Sequence, residues 1–120
     1  MVTIKNLNAH QICVERADGT LYEYPPCGHQ LRLEIEDKII AEVSGNQIIQ
    51  RVFYEPERGI VPTYEKGVYY IVPSQITQLY NRADFISPDT KQVHGARRDD
   101  HGQVLSVRRF RMNDILVKRK

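Results

Sequence analysis

Apolar and polar residues alternate along much of this chain, and the alternation predicts strands. Val2, Ile4 and Asn6 alternate with their neighbours, and Ile12 and Val14 resume the pattern after a polar break at residues 8–10. Ala17-Asp18-Gly19-Thr20 reads as a hairpin turn, because Asp-Gly supplies the positive φ that such turns need. Residues 21–24 are then the returning strand, stopped by Pro25-Pro26, which donate no ladder hydrogen bonds. Residues 30–37, QLRLEIED, alternate most cleanly: Leu31, Leu33 and Ile35 are expected on a buried face, with Arg32, Glu34 and Glu36 toward water. Residues 39–43 and 47–54 flank Ser44-Gly45-Asn46, a second hairpin signal. Residues 55–67 hold two prolines and two glycines and read as a long loop.

The run 68–72, VYYIV, is uninterrupted and β-branched, as a central strand requires. Pro73-Ser74 opens a helix that Ser74 is placed to cap, with Ile76, Leu79 and Tyr80 on its buried face. A hairpin is expected over residues 91–98 and 103–112, turning on Asp99-Asp100-His101-Gly102. Residues 114–120 are a last strand or a frayed tail. The fold class is mainly β: a compact β-barrel or two-layer sandwich of about seven to nine short strands with one short helix. No βαβ periodicity is visible, which argues against a Rossmann-like sheet.

Composition narrows this picture without changing it. At 120 residues, with 41% hydrophobic and 27% charged positions, residues 1–120 are expected to form a single globular domain with a basic tail at about 113–120. No apolar run approaches the ~20 residues of a membrane span. The first residues lack the pattern of a signal peptide, so a soluble, cytoplasmic protein with no membrane partner is expected. The charge is uneven. Residues 91–120 carry nine Lys/Arg against three Asp/Glu, on a mildly acidic body, which suits an anionic partner.

Reactive chemistry is thin. No G-x-S-x-G, H-E-x-x-H or P-loop occurs, and no catalytic residue is assigned. His10-x-x-Cys13 with Cys27-x-His29 fits no common zinc module, and no metal or cofactor is expected. Asp99, Asp100 and His101 read as turn chemistry. Ser87-Pro88-Asp89-Thr90 reads as a tight turn whose polar groups are candidates for ribose or base contacts. Arg97, Arg98, Arg108 and Arg109 lie on two strands paired across a hairpin. Alternation puts one arginine of each doublet on each face, so one per strand shares a face and forms a candidate phosphate clamp.

A resemblance adds to these readings. Asn6-Leu7-x-x-His10, Pro25-Pro26-x-Gly28, Tyr70-Ile71-Val72, Ser87-Pro88-Asp89-Thr90, and Gly102-x-Val104 running to Val107-Arg108-x-Phe110 together resemble a family of small proteins from phages, prophages and bacterial genomes. The similarity spans nearly the whole chain. It departs from the family pattern at Cys27, where a serine is usual, and around His94, where residues are added. The resemblance implies a phage or mobile-element context. By context and size it also implies a sponge that sequesters nucleotide immune signals such as cyclic ADP-ribose derivatives or cyclic dinucleotides.

The expected function is therefore a non-catalytic protein that binds a small phosphate-bearing nucleotide. Arg97, Arg108 and Arg109 are the expected phosphate contacts, Ser87, Asp89 and Thr90 the ribose or base contacts, and Asn6 and His10 the groups closing the site. A homo-oligomer is expected because strand edges in so small a domain are commonly covered by a second copy. A nucleic-acid- or protein-binding module using the basic 91–120 face is the alternative, and a nucleotide-cleaving enzyme the third reading.

Overall fold

A computed structural model describes residues 2–57 and 59–119; Lys120 of the basic tail and position 58 of the 55–67 loop lie outside the described residues. The chain is mainly β with one short α-helix, its strands gathered in several small sheets. Among the described residues no sheet closes on itself, so a barrel is not formed. The chain divides into two compact units, residues 1–31 with 64–120 and residues 32–63. Among the described residues, the buried side chains all belong to the first unit.

In the first unit, β1 (Thr3–Asn6), β6 (Val68–Ile71), β7 (Phe85–Pro88) and β10 (Phe110–Arg111) form a four-stranded sheet in the order β1-β6-β7-β10. The first three are parallel and β10 is antiparallel to β7. Here β6 is central, as its apolar run predicts, with Tyr70, Ile71 and Val72 all buried. Phe85 is fully buried and takes the ring of Tyr70 edge-on at 6.0 Å and that of Tyr80 at 5.8 Å. Arg82 covers Phe85 at 4.0 Å while pairing with the buried Asp84 through two bonds of 2.9 and 2.6 Å.

The parallel pair β6 and β7 is joined through α1 (Ser74–Leu79), a βαβ connection that the sequence pattern did not show. A helix of six residues is too short to display a 3.6-residue period. Its details differ from expectation for the same reason. Pro73 is the N-cap and Ser74 lies inside the helix; Ile76 and Thr77 are buried, but Leu79 is 51% exposed. Residues 85–88, expected to run into a turn, instead form a buried strand ended by its proline.

The hairpin of β2 (Ile12–Glu15) and β3 (Leu21–Tyr24) turns on Asp18-Gly19 as predicted, with Gly19 at φ 84° and the Asp18 carboxylate accepting from both the amide and hydroxyl of Thr20. Those two bonds hold the Asp18 carboxyl below its usual pKa. A second, smaller hairpin, β8 (Arg97–Arg98) with β9 (Val104–Ser106), turns on the predicted Asp99–Gly102 corner. A 3-10 turn over Gln92–His94 occupies part of the stretch expected to be strand. Val14, Ala96 and Val107 form a small core between these hairpins, closed by the Glu15 N–H donating to Val107 O at 2.8 Å. Residues 112–119 adopt no strand.

The second unit is one long hairpin, β4 (Glu34–Val43) with β5 (Asn46–Tyr54), turning on Ser44 and Gly45 at φ 51° and 81°. Two consecutive positive φ values match the twist of such a hairpin, which is why Ser-Gly serves here. The two strands expected at 30–37 and 39–43 are one, passing through a bulge between Ile39 and Ala41. The burial predicted from QLRLEIED also divides. Leu31 is fully buried in the first unit, whereas Ile35 is 49% exposed.

Candidate functional site

Three parallel strands end together where β1, β6 and β7 give way to loops, and a cavity of about 580 Å³ lies at this carboxyl edge. Open parallel sheets commonly bind ligands there, because strand ends and loops converge while the sheet below stays rigid. Ile12, Cys13, Val72, Leu105 and Val107 supply apolar wall. Asn8, His10, Gln11, Thr90, Gln103 and Ser106 supply polar groups. The Nδ2 of Asn8 is buried and has no hydrogen-bond partner among the described residues. A buried donor left unpaired is costly, and a bound acceptor would relieve that cost.

Asn6 builds this edge without lining it. Its side chain is buried: Nδ2 donates to His10 O and Tyr24 O, both at 2.8 Å, and Oδ1 accepts from the Asn8 N–H at 2.9 Å. One amide thus ties the 7–10 loop to the end of β3 and sets where Asn8 and His10 stand. Burial pushes the Cys13 thiol pKa up, and nearby Glu23 and Glu15 add to that, so the sulfur on the cavity wall is held protonated.

A second cavity of about 320 Å³ adjoins the first in its lining, since Pro88 and Thr90 border both. Its other walls include the hydroxyl residues Ser74, Thr77 and Ser87, the cations Lys91 and Arg111, and Asp89 and Asp114. Ser87 and Asp89 therefore face this smaller space, while Pro88 and Thr90 of the Ser-Pro-Asp-Thr stretch reach both. Asp89 is buried and fully engaged. Its carboxylate accepts from Arg109 Nε at 2.6 Å and from the Lys91 N–H at 3.2 Å, and lies 2.8 Å from His94 Nδ1. The Arg109 hydrogen bond, foremost, brings the Asp89 pKa down to about 2.

The neighbouring arginines point apart, but Arg108 and Arg109 lie between β9 and β10 rather than on the strand expected over 103–112, so strand alternation is not what separates them. Arg97 and Arg108 share one face and meet on the mostly buried Glu15, with Arg97 Nε at 3.2 Å and Arg108 Nη2 at 3.9 Å from its oxygens. Arg109, next in the chain to Arg108, points the other way to Asp89. Arg97, Arg108 and Arg109 line neither cavity. What their clamp holds is a carboxylate of the chain itself. Arg98 lies nearer the site: its Nη1 donates to Gly102 O at 2.7 Å and its Nη2 to Thr90 O at 2.9 Å.

Elsewhere Asp99 accepts from the amides of His101 and Gln103, both at 2.9 Å, which is turn chemistry as expected. The Cys27 thiol donates to His29 O rather than meeting an imidazole. Among the described residues no three His, Cys, Asp or Glu side chains group as metal ligands. Asn8, Gln11, Gln103, Lys91 and Arg111 were not expected at the site. Asn8 and Gln11 flank His10 in NLNAHQ, and their place in the loop after a strand was the one signal available.

Comparison of the chain with protein-family models, curated proteins and solved structures finds no match.

Proposed function

We propose that the protein is a non-catalytic binder of a small phosphate-bearing nucleotide, with the nucleoside in the larger cavity and phosphate directed across Thr90 toward Lys91 and Arg111. The pairing of the two cavities carries this reading: an amide-lined space of nucleoside size meets a hydroxyl- and cation-lined space at Pro88 and Thr90, which border both. Asn8, Gln11 and Gln103 each offer a donor and an acceptor suited to base edges. Lys91, Arg111 and the neighbouring hydroxyls suit phosphate oxygens. The Cys13 thiol on the wall of the larger cavity is biased away from the nucleophilic thiolate. With the phage-type resemblance, such capture amounts to sequestration of a nucleotide signal such as a cyclic ADP-ribose derivative or a cyclic dinucleotide.

The basic 91–120 face offers less to nucleic acid than its charge count suggests, because Arg97, Arg108 and Arg109 are each paired with Glu15 or Asp89. A thermal-shift panel of mono-, di- and cyclic nucleotides tests the proposal. A rise in melting temperature with at least one of them is expected, with the ligand recovered intact after denaturation. No shift at millimolar concentration overturns the nucleotide reading, and recovery of a cleaved product points to the enzyme. Binding to DNA or RNA that weakens steeply with salt, through counterion release, points to the nucleic-acid module.

A further inference from the structure

The β4–β5 hairpin presents a physical problem that the chain does not solve alone. A two-stranded hairpin is at best marginally stable in water, and it needs a covered apolar face. Directly opposed residues share a face, so Ile35 with Phe53, Asp37 with Arg51, and Ile39 with Ile49 form three successive rows on one side. Ile35, Ile39 and Ile49 are all exposed and Phe53 is half-buried. An aliphatic surface of this kind is unusual for a face left in water. The middle row is an exposed ion pair at 3.6 Å, of little worth to the hairpin by itself.

The charge pattern specifies what fits. The face is apolar, charged and apolar along its length, with the acid on one strand and the base on the other. It is therefore complementary to itself under a two-fold axis running along the strands between two stacked hairpins. That operation sets Asp37 against Arg51 of a second copy, Ile35 against its Phe53, and Ile39 against its Ile49. A two-fold axis across the strands instead sets Asp37 against Asp37, which is repulsive. We infer that the Ile35–Ile39–Ile49–Phe53 face of the hairpin is an isologous docking surface for a second copy of this chain, the two hairpins pointing the same way with Asp37 and Arg51 paired across the contact. At the ~10 Å spacing of stacked sheets the aliphatic rows interdigitate and the charges meet with much of their water removed.

Sedimentation of the full chain, with charge-reversed variants, tests this independently of any ligand. The parent is expected at twice the 14.0 kDa chain mass. Asp37→Arg alone and Arg51→Asp alone place like charges against each other and are expected to sediment as single chains. An equimolar mixture of the two is expected to return to the doubled mass, because each variant then meets its complement. Mixing cannot repair a hairpin that has failed to fold, so its recovery separates docking from folding. The double reversal D37R/R51D is expected to stay doubled. A parent that sediments as a single chain at micromolar concentration, a single reversal that keeps the doubled mass, or a mixture that remains single overturns the inference.

Discussion

Asp89 and Arg109 hold each other twice: the Arg109 guanidinium donates to the Asp89 carboxylate at 2.6 Å, and the Asp89 N–H donates to the Arg109 carbonyl at 3.0 Å. The first bond joins side chains and the second joins backbones where β7 meets β10. A residue pair that sequence reading assigns to a ligand is thus part of the sheet edge that frames the smaller cavity.

Acid should expose this link. The Asp89 pKa is about 2 in the folded chain, below its ordinary 3.8, so the folded state binds fewer protons than the unfolded state across that interval. Its contribution is complete above pH ~4 and is lost as pH falls toward 2. The melting temperature is expected to drop over that window, and to drop less in Asp89→Asn, as followed by circular dichroism.

At neutral pH, Asp89→Asn should itself lower the melting temperature, by on the order of 5–10 °C. It removes the charge facing Arg109 and His94 in a buried position. Arg109→Ala, whose side chain is half exposed, is expected to cost less.

Asn6→Asp should be more damaging than Asn6→Ala. The amide donates to two carbonyls, and a carboxylate there replaces two attractions by two repulsions. A cost of about 1–3 kcal/mol for the alanine is expected from the lost partners, with a larger one for aspartate. Urea unfolding measures both.

Gly95→Ala should strain the chain and displace Arg108. Gly95 has φ 96°, a backbone region that alanine disfavours, and an added Cβ would overlap the Arg108 side chain. About 1–3 kcal/mol of destabilisation is expected, with a weakened Arg108–Glu15 contact.

Once a binding nucleotide is in hand, Gln103→Ala and Lys91→Ala should each weaken it about tenfold or more, while Arg97→Ala leaves it within a few-fold. Calorimetric titration of the three variants decides between the cavity and the arginine clamp.

Strand positions were legible wherever a local rule had no competitor. Asp18-Gly19 and Ser44-Gly45 mark turns because each glycine takes positive φ without a Cβ penalty, and VYYIV marks the central strand because its run is apolar throughout. The Asp99 turn also follows from local chemistry, whereas Arg108 and Arg109 lie off the strand on which a period of two would have placed them. Burial was less legible. Ile35 and Leu31 share one alternating pattern, yet only Leu31 is buried, because alternation says which residues share a face and not whether anything covers it.

The stretch 87–110 shows the division most plainly. Sequence alone determined that it is rich in anion-gripping groups. Only the tertiary structure decided what those groups grip. Glu15 lies 82 residues from Arg97 in the chain, and Asp89 lies 20 from Arg109. A partner at such separation is brought in by sheet pairing and leaves no periodic trace in the sequence. The cavity is of the same kind, since it forms where three parallel strands end side by side, a coincidence of chain path that no single segment encodes.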